Sequence, residues 1–448
     1  MRLHPMELKQ PMLTRYLSPI FGMVLLTIIG SASVAADRPN IVVLLADDLG
    51  YGSLNSYGAD EAHIRTPNID RLAQSGRRFT DASTPSSVCS PTRYGLLTGR
   101  YDWRTDKKHG VLNTTDPLHI ETSRLTIASL LKSAGYRTAA IGKWHLGYGI
   151  EKADFTKELS PGPLDIGFDY HFAVPQNHGD ASGVYVRNRK VVGLRSDRTI
   201  SAGKSPYGRD FYGIDAPQRV DENVMDELTT EAVDWLDQQR ADTPFFLYFA
   251  PVAIHFPYTP SNQMKGTSGI GLYGDWIHEL DRSVGRILDK IDRMGATDDT
   301  LVIFTSDNGG VLMTEGERPE AEAYRAGLRC NGKWRGRKHS IYEGGFRIPF
   351  IVRWPGHVQA SAVCDETISL VDMYATIAAL IDRPVFGDED VAEDSFNVLP
   401  SFLTEATQEP IRSSVILHSP NGNFAIRQGP WKYIEGKPSP TLKKISRK

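Results

Sequence analysis

Ile41-Val42-Val43-Leu44-Leu45-Ala46-Asp47-Asp48 is an unbroken apolar run that ends on two adjacent carboxylates. A strand with one wet face alternates apolar and polar residues, so an unbroken run of this length reads as a strand covered on both faces. Three other runs have the same build. Tyr136 to Ile141 leads through Gly142 to Lys143-Trp144-His145, Phe245 to Ala250 ends near His255, and Leu301 to Thr305 ends at Asp307-Asn308. Helical patterns separate them, at Arg124 to Ala134 and between Tyr273 and Met294. The alternation predicts an α/β fold, a large and mostly parallel sheet flanked by helices. Open sheets of this kind bind ligands beyond the carboxyl ends of their strands, so the four polar clusters are expected to converge. The stretch Thr66 to Gly76 fits the same layering, with a capping threonine, a proline at its first position and a closing glycine.

The ends of the chain differ in kind. Arg2, Lys9 and Arg15 precede an apolar run from Leu17 to Ile29 that is followed by Ser31-Ala32-Ser33-Val34-Ala35. This reads as a secretory signal peptide over residues 1–36, because the run is short, broken by Pro19 and Gly22, and followed by small residues. An exported, periplasmic or secreted protein without stable membrane insertion is expected. The rest divides into a catalytic domain over 37–405 and a small C-terminal antiparallel subdomain with a basic tail over 406–448. Phe424 to Arg427 and Trp431 to Ile434 form its hairpin across Gly429-Pro430. A net charge of −3 with no long basic block in the folded region argues against nucleic acid as a partner. Cys330 and Cys364 are an even pair once Cys89 is set aside; a disulfide and two free thiols both remain open.

Cys89 stands two residues before Pro91 and four before Arg93, in Ser87-Val88-Cys89-Ser90-Pro91-Thr92-Arg93-Tyr94-Gly95-Leu96-Leu97-Thr98-Gly99-Arg100. That order presents the cysteine at a helix N-terminus, where the missing N–H of proline costs nothing. The terminus and Arg93 together favour an anion or an anionic nucleophile at Cys89. Asp47, Asp48 and Asp307 with the amide oxygen of Asn308 make a set of hard oxygen donors, suited to calcium and not to zinc. Either pair alone would equally suit a turn; two pairs at matching strand ends favour the metal. Lys143 and His145 are two apart in extended chain, so both can face one way. His255 follows a strand end and can reach the same place. Between Gly147 and Asn223 the pattern loosens around His178, Asp180 and other polar and aromatic residues, as a substrate-selecting insertion or a solvated loop.

Cys89-Ser90-Pro91-Thr92-Arg93 with Leu96-Leu97-Thr98-Gly99 resembles the maturation signature of the formylglycine-dependent sulfatases, an arylsulfatase-like branch of the alkaline phosphatase superfamily. The resemblance extends through spaced motifs over most of Pro39 to Ile434. It implies that a maturation enzyme converts Cys89 to Cα-formylglycine, and that one calcium ion sits on Asp47, Asp48, Asp307, Asn308 and residue 89. Gly142-Lys143-Trp144-His145-Leu146-Gly147 resembles the motif whose lysine holds sulfate and whose histidine contacts the second hydroxyl of the hydrate. Lys338 before Tyr342-Glu343-Gly344-Gly345 resembles the second sulfate-binding lysine, with Lys333 as its neighbour and rival. The implied reaction is hydrolysis of a sulfate monoester, with a sulfated saccharide or small molecule as substrate. Residue 89 attacks sulfur, His255 protonates the leaving oxygen, His145 assists release of the covalent sulfate, and Arg93 stabilises charge. His178 and Asp180 are candidates for substrate contact. Two other readings stay open: hydrolysis of phosphodiesters or phosphonate monoesters on the same fold, and a silent sulfoglycan-binding protein in which Cys89 stays a thiol.

Overall fold

Strands form where the apolar runs lie. In the computed structural model, which describes residues 38–200, 203–384, 390–403 and 409–436, Asn40–Ala46 pairs in parallel with Thr300–Ser306 on one side and Phe245–Ala250 on the other. Arg137–Lys143 and Tyr170–Val174 continue the parallel set. Residues 1–36 and the basic tail beyond Lys437 lie outside the described residues. The whole sheet has ten strands and is mixed: Phe350–Arg353 runs antiparallel to Thr300–Ser306, and Val186–Arg187 antiparallel to Tyr170–Val174.

Side chains alternate across the sheet, and the central strand feeds both cores. Ile41, Val43 and Leu45 join Tyr94, Leu96 and Leu97 of the Cys89–Thr98 helix and Ile377 of the Met373–Leu380 helix. Val42, Leu44 and Ala46 meet Ile69 and Leu72 of the Pro67–Gln74 helix and Trp276, Leu280 and Val284 of the Leu272–Arg293 helix. Each such aliphatic side chain contributes roughly 1.5–3 kcal/mol on full burial. A strand covered on both sides therefore has little room for an unpartnered charge until it leaves the sheet. This is why Asp47 and Asp307 come directly after the last paired residues, Ala46 and Ser306.

Thr66 precedes the helix it was expected to cap, but its hydroxyl donates to Asn55 and Asp70 instead. The cap comes from another helix: buried Asp281 accepts from the backbone N–H groups of Asn68 and Ile69 and from the Asn68 amide. Asp281→Ala is expected to cost about 1–2 kcal/mol of stability, because it leaves helix N–H groups without an acceptor. Urea unfolding measures the loss, and Asp281→Asn, which keeps an acceptor, should lose less.

The C-terminal part adds a separate antiparallel sheet of Val415–His418, Phe424–Gln428 and Trp431–Ile434. The first of these strands is not visible in the hairpin pattern of the sequence. Both sheets belong to one compact unit, Arg38–Lys448. Lys432 reaches Glu343 at 2.8 Å, which ties the small sheet to the turn that follows Lys338, and Arg427 reaches Asp81 at 2.6 Å, just beyond the Arg77–Phe79 strand. All three cysteines are free and buried; Cys330 lies in the core on one face of the sheet and Cys364 in the core on the other.

Candidate active site

The carboxyl ends of the parallel strands bring the expected residues together. Ligand-capable atoms of Asp47, Asp48, Cys89 and His255 all lie within 4.8 Å of one another. Asp47 leaves the central strand with its N–H bonded to the Ala253 carbonyl and its own carbonyl accepting from Ile254, which fastens the His255 loop to it. Asp307 N–H bonds back to Ala46, and Asp307 Oδ1 accepts from Asp48 N–H at 3.1 Å. Gly309 lets this loop lie against the Glu343–Gly345 turn: a Cβ there would stand 2.0 Å from the Gly344 carbonyl oxygen.

Each carboxylate has a cation. Lys143 Nζ lies 2.8 and 2.7 Å from the two oxygens of Asp47, and Lys338 Nζ lies 2.7 Å from Asp48 Oδ1 and 2.9 Å from Oδ2. Lys333 is exposed over the Trp334 ring, so Lys338 is the lysine of this centre. Burial alone would raise Asp48, but Lys338, His255 and Lys143 together hold it well below the usual carboxylate range. Burial also dominates at Asp47, raising it to about 7 against the pull of Lys143. Burial works against the charge on Lys338, and Asp48 more than restores it.

Arg93 was expected to face the nucleophile. It pairs with Asp307, with Nε and Nη2 at 3.0 and 2.7 Å from Oδ2 and Nη1 donating to the Lys143 carbonyl at 2.8 Å, while remaining close enough to Cys89 for the two to influence each other electrostatically. A guanidinium with no exposed surface must find acceptors for its N–H groups, and the nearest are the carboxylate and the strand end. Arg93 is thus a positioning residue that holds two of the four strand ends in register.

Asn308 carries the clearest sign of a missing partner. Its Nδ2 donates to Asp48 Oδ1 at 2.8 Å and to the Gly309 carbonyl, which fixes the orientation of the amide, while Oδ1 is buried with no hydrogen-bond partner. An orphaned amide oxygen beside Asp47, Asp48 and Asp307 fits a hard cation with oxygen ligands such as calcium.

Cys89 is the first residue of its helix and fully buried, and burial pushes its thiol up to about 12. Ser90 Oγ accepts from Leu112 N–H, and the Leu112 carbonyl accepts from His145 Nε2 at 3.0 Å. A carbonyl only accepts, so the proton of neutral His145 is on Nε2 and the lone pair on Nδ1, which is buried without a partner. Burial, then Lys143 and Arg93, hold this ring well below the usual histidine range. His255 is arranged the other way round. Its Nδ1 donates to the Phe256 carbonyl at 2.6 Å, leaving Nε2 toward Asp48 Oδ2 at 3.8 Å. Burial and Lys338 lower it, and Asp48 works in the opposite direction.

His178 and Asp180 are buried and tied to neighbouring groups, with His178 Nδ1 left without a hydrogen-bond partner. His178 Nε2 bonds Thr259 Oγ1 at 2.7 Å and its ring lies against Trp276. Asp180 accepts from Gln176, Ser182 and Gly183 N–H groups and pairs with Arg219 at 3.2 Å. Both hold the insertion in shape. The insertion instead sends Tyr207 to the site: its hydroxyl donates to the Phe256 carbonyl at 2.9 Å and lies 3.4 Å from His255 Nδ1. A single tyrosine in an irregular segment has no periodicity to announce it. The Leu112 carbonyl was equally hidden, since a backbone group leaves no mark in the sequence.

Three buried carboxylates, three buried cations, two oppositely oriented histidines and a helix-borne cysteine at the ends of a parallel sheet define a hydrolase site for an anionic ester. The sequence model of the sulfatase family matches residues 39–382, and the chain belongs to that family. It is 36% identical to the N-acetylgalactosamine-6-O-sulfatase of Bacteroides thetaiotaomicron, over 91% of this chain and 84% of that protein. It is 34% identical to human arylsulfatase A, over 91% of this chain and 77% of the relative. A solved sulfatase structure from a Bacteroides thetaiotaomicron locus for glycosaminoglycan metabolism superposes with a TM-score of 0.82 at 35% identity, covering 89% of this chain and 88% of the other. The enzyme is a sulfatase, a sulfuric ester hydrolase. No helix among the described residues is long and apolar enough to cross a membrane.

Proposed function

We propose that this sulfatase hydrolyses a sulfate ester of a saccharide, with a calcium ion held by Asp47, Asp48, Asp307 and Asn308 and with Cys89 matured to formylglycine. The observation that carries the reading is the buried, partnerless Oδ1 of Asn308, whose amide nitrogen bonds Asp48, the carboxylate grouped with Asp47, Cys89 and His255. When bound, the cation polarises the sulfate oxygens, and the hydrated aldehyde supplies the attacking hydroxyl. Lys143 and Lys338 bring the two mobile positive charges that a sulfate group requires. His255, once protonated on Nε2, gives that proton to the departing sugar oxygen. His145, with its lone pair on Nδ1, takes a proton from the Cys89-derived hydroxyl. The names of the relatives make 6-O-sulfated N-acetylgalactosamine the first substrate to assay. Maturation needs a formylglycine-generating partner enzyme, and the basic, apolar and small-residue order of residues 1–36 supports export.

The leaving group tests His255. A nitrophenolate departs as an anion, whereas a sugar alkoxide is too basic to depart without a proton, and positioned proton donation contributes about 10²–10⁴-fold. His255→Ala should therefore slow a sulfated sugar by that factor and nitrophenyl sulfate far less. Equal slowing of both, under conditions where sulfur–oxygen cleavage limits the rate, would remove His255 from the acid role. Parallel assays with an aryl phosphonate separate sulfatase from phosphonate hydrolase activity.

A further inference from the structure

A cavity of about 430 Å³ lies inside the 177–222 insertion, outside the Cys89 centre but attached to it. Ser205 and Pro206 line it and run directly into Tyr207, whose hydroxyl sits on the His255 loop. Gly179, also in its wall, packs on that loop: a Cβ there would stand 2.9 Å from Pro257 Cδ. The cavity thus adjoins the side of the site where His255 meets the leaving group. Its volume falls in the range of pockets that enclose a small organic ligand.

The chemistry of the wall is specific. Ser205 Oγ, Gln218 Oε1 and Arg219 Nε are all buried without hydrogen-bond partners. Two of these can donate and one can only accept. Phe211 supplies an aromatic face next to Gln218. The cations of the wall already carry carboxylate partners. Lys204 is taken by Asp210 at 2.7 Å and Arg219 by Asp180 at 3.2 Å, while Asp221 and Glu222 add negative charge to the same wall. A second sulfate or a carboxylate would enter against those two carboxylates, while both lining cations, Lys204 and Arg219, are already paired with carboxylates. Vicinal hydroxyls or an acetamido group, with C–H faces to lay on Phe211, match what is left unpaired.

We infer that this cavity is a subsite for an uncharged pyranose, the sugar linked to the sulfated residue on its leaving-group side. The inference rests on the saccharide-sulfatase reading and adds to it which neighbour the substrate carries. It makes the enzyme selective for sulfated sugars attached to a neutral hexose or N-acetylhexosamine over those attached to a hexuronate.

Four substrates test it with the matured enzyme: nitrophenyl sulfate, a 6-O-sulfated N-acetylgalactosamine, that sugar linked to galactose, and the same sugar linked to glucuronate. The galactose-linked compound should exceed the monosaccharide about tenfold in kcat/KM, the worth of one or two hydrogen bonds, and the glucuronate-linked compound should show no gain. Phe211→Ala and Gln218→Ala should each erase the gain and leave nitrophenyl sulfate turnover unchanged. No gain for the galactose compound, an equal gain for the glucuronate compound, or a gain that survives both variants overturns the subsite. If a variant also loses nitrophenyl sulfate turnover, it has lost its fold, and the comparison of the substrates on the unaltered enzyme decides alone. An unaltered enzyme that cleaves nitrophenyl sulfate but shows no gain refutes the subsite only. One that cleaves no sulfate ester at all refutes the saccharide-sulfatase reading and the subsite together.

Discussion

Cys89→Ala is expected to lower sulfate-ester turnover by at least about 10⁴-fold, the scale on which removal of a covalent nucleophile acts. The thiol itself is a poor candidate for the attack. With burial pushing it up to about 12, the sulfur is held as the neutral thiol near neutral pH. Three cations surround this position, but they pair with Asp47, Asp48 and Asp307, and the downward pull of Lys143 and Lys338 on the thiol does not offset its burial. A hydrated aldehyde formed from Cys89 supplies one hydroxyl for the attack and a second whose proton the partnerless Nδ1 of His145 can receive when the sulfate is expelled. Cys89→Ser that stays unoxidised should therefore fail almost as badly as Cys89→Ala, since a single hydroxyl gives no second hydroxyl with which to expel the sulfate. The mass of the Cys89 peptide reports maturation directly. Cys89→Ala with unaltered turnover, or an active enzyme whose peptide retains the full thiol mass, would end the assignment.

What the sequence disclosed and what it hid follow from the range of the interactions. The strand Asn40–Ala46 was legible because an apolar run buried on both faces is a local pattern, and its end at Asp47 marked the site. The convergence of Asp47, Lys143, His255 and Asp307 followed from the rule for parallel sheets. Direction at the sheet edge was not legible. Phe350–Arg353 is as apolar as the parallel strands but returns antiparallel; the link that precedes it holds both the Pro319–Ala326 helix and the Glu343–Gly345 turn, and neither marks the direction in the sequence. Partners at long sequence distance were hidden as well. Arg93 reads as a cation for the nucleophile until Asp307, 214 residues away, appears beside it. Thr66 reads as a cap until Asp281 arrives from another helix. His178 and Asp180 look like free polar groups in a loop, and burial turns both inward.

Stripping calcium should abolish turnover, and elemental analysis of the active enzyme should find about one calcium per chain and little zinc. The argument is one of charge and donor type. Lys143 and Lys338 lie on Asp47 and Asp48, so a dication at those carboxylates must displace two ammonium groups that already neutralise them. The displaced lysines are then free for an anion, which links cation binding to sulfate binding through the same two side chains. Lys338→Met separates the two roles: it removes a competitor for Asp48, so calcium affinity should hold or rise while turnover of sulfate esters falls steeply. Asn308→Ala acts in reverse, removing a neutral oxygen that no other group satisfies, and should weaken calcium binding by about 10–100-fold. Titration of the apo-protein by calorimetry, or by the rise in unfolding temperature with added calcium, reads both variants without any need for activity. Zinc at one per chain in place of calcium, or an Asn308→Ala protein that binds calcium as tightly as the parent, would show that the oxygen cluster is not the metal site.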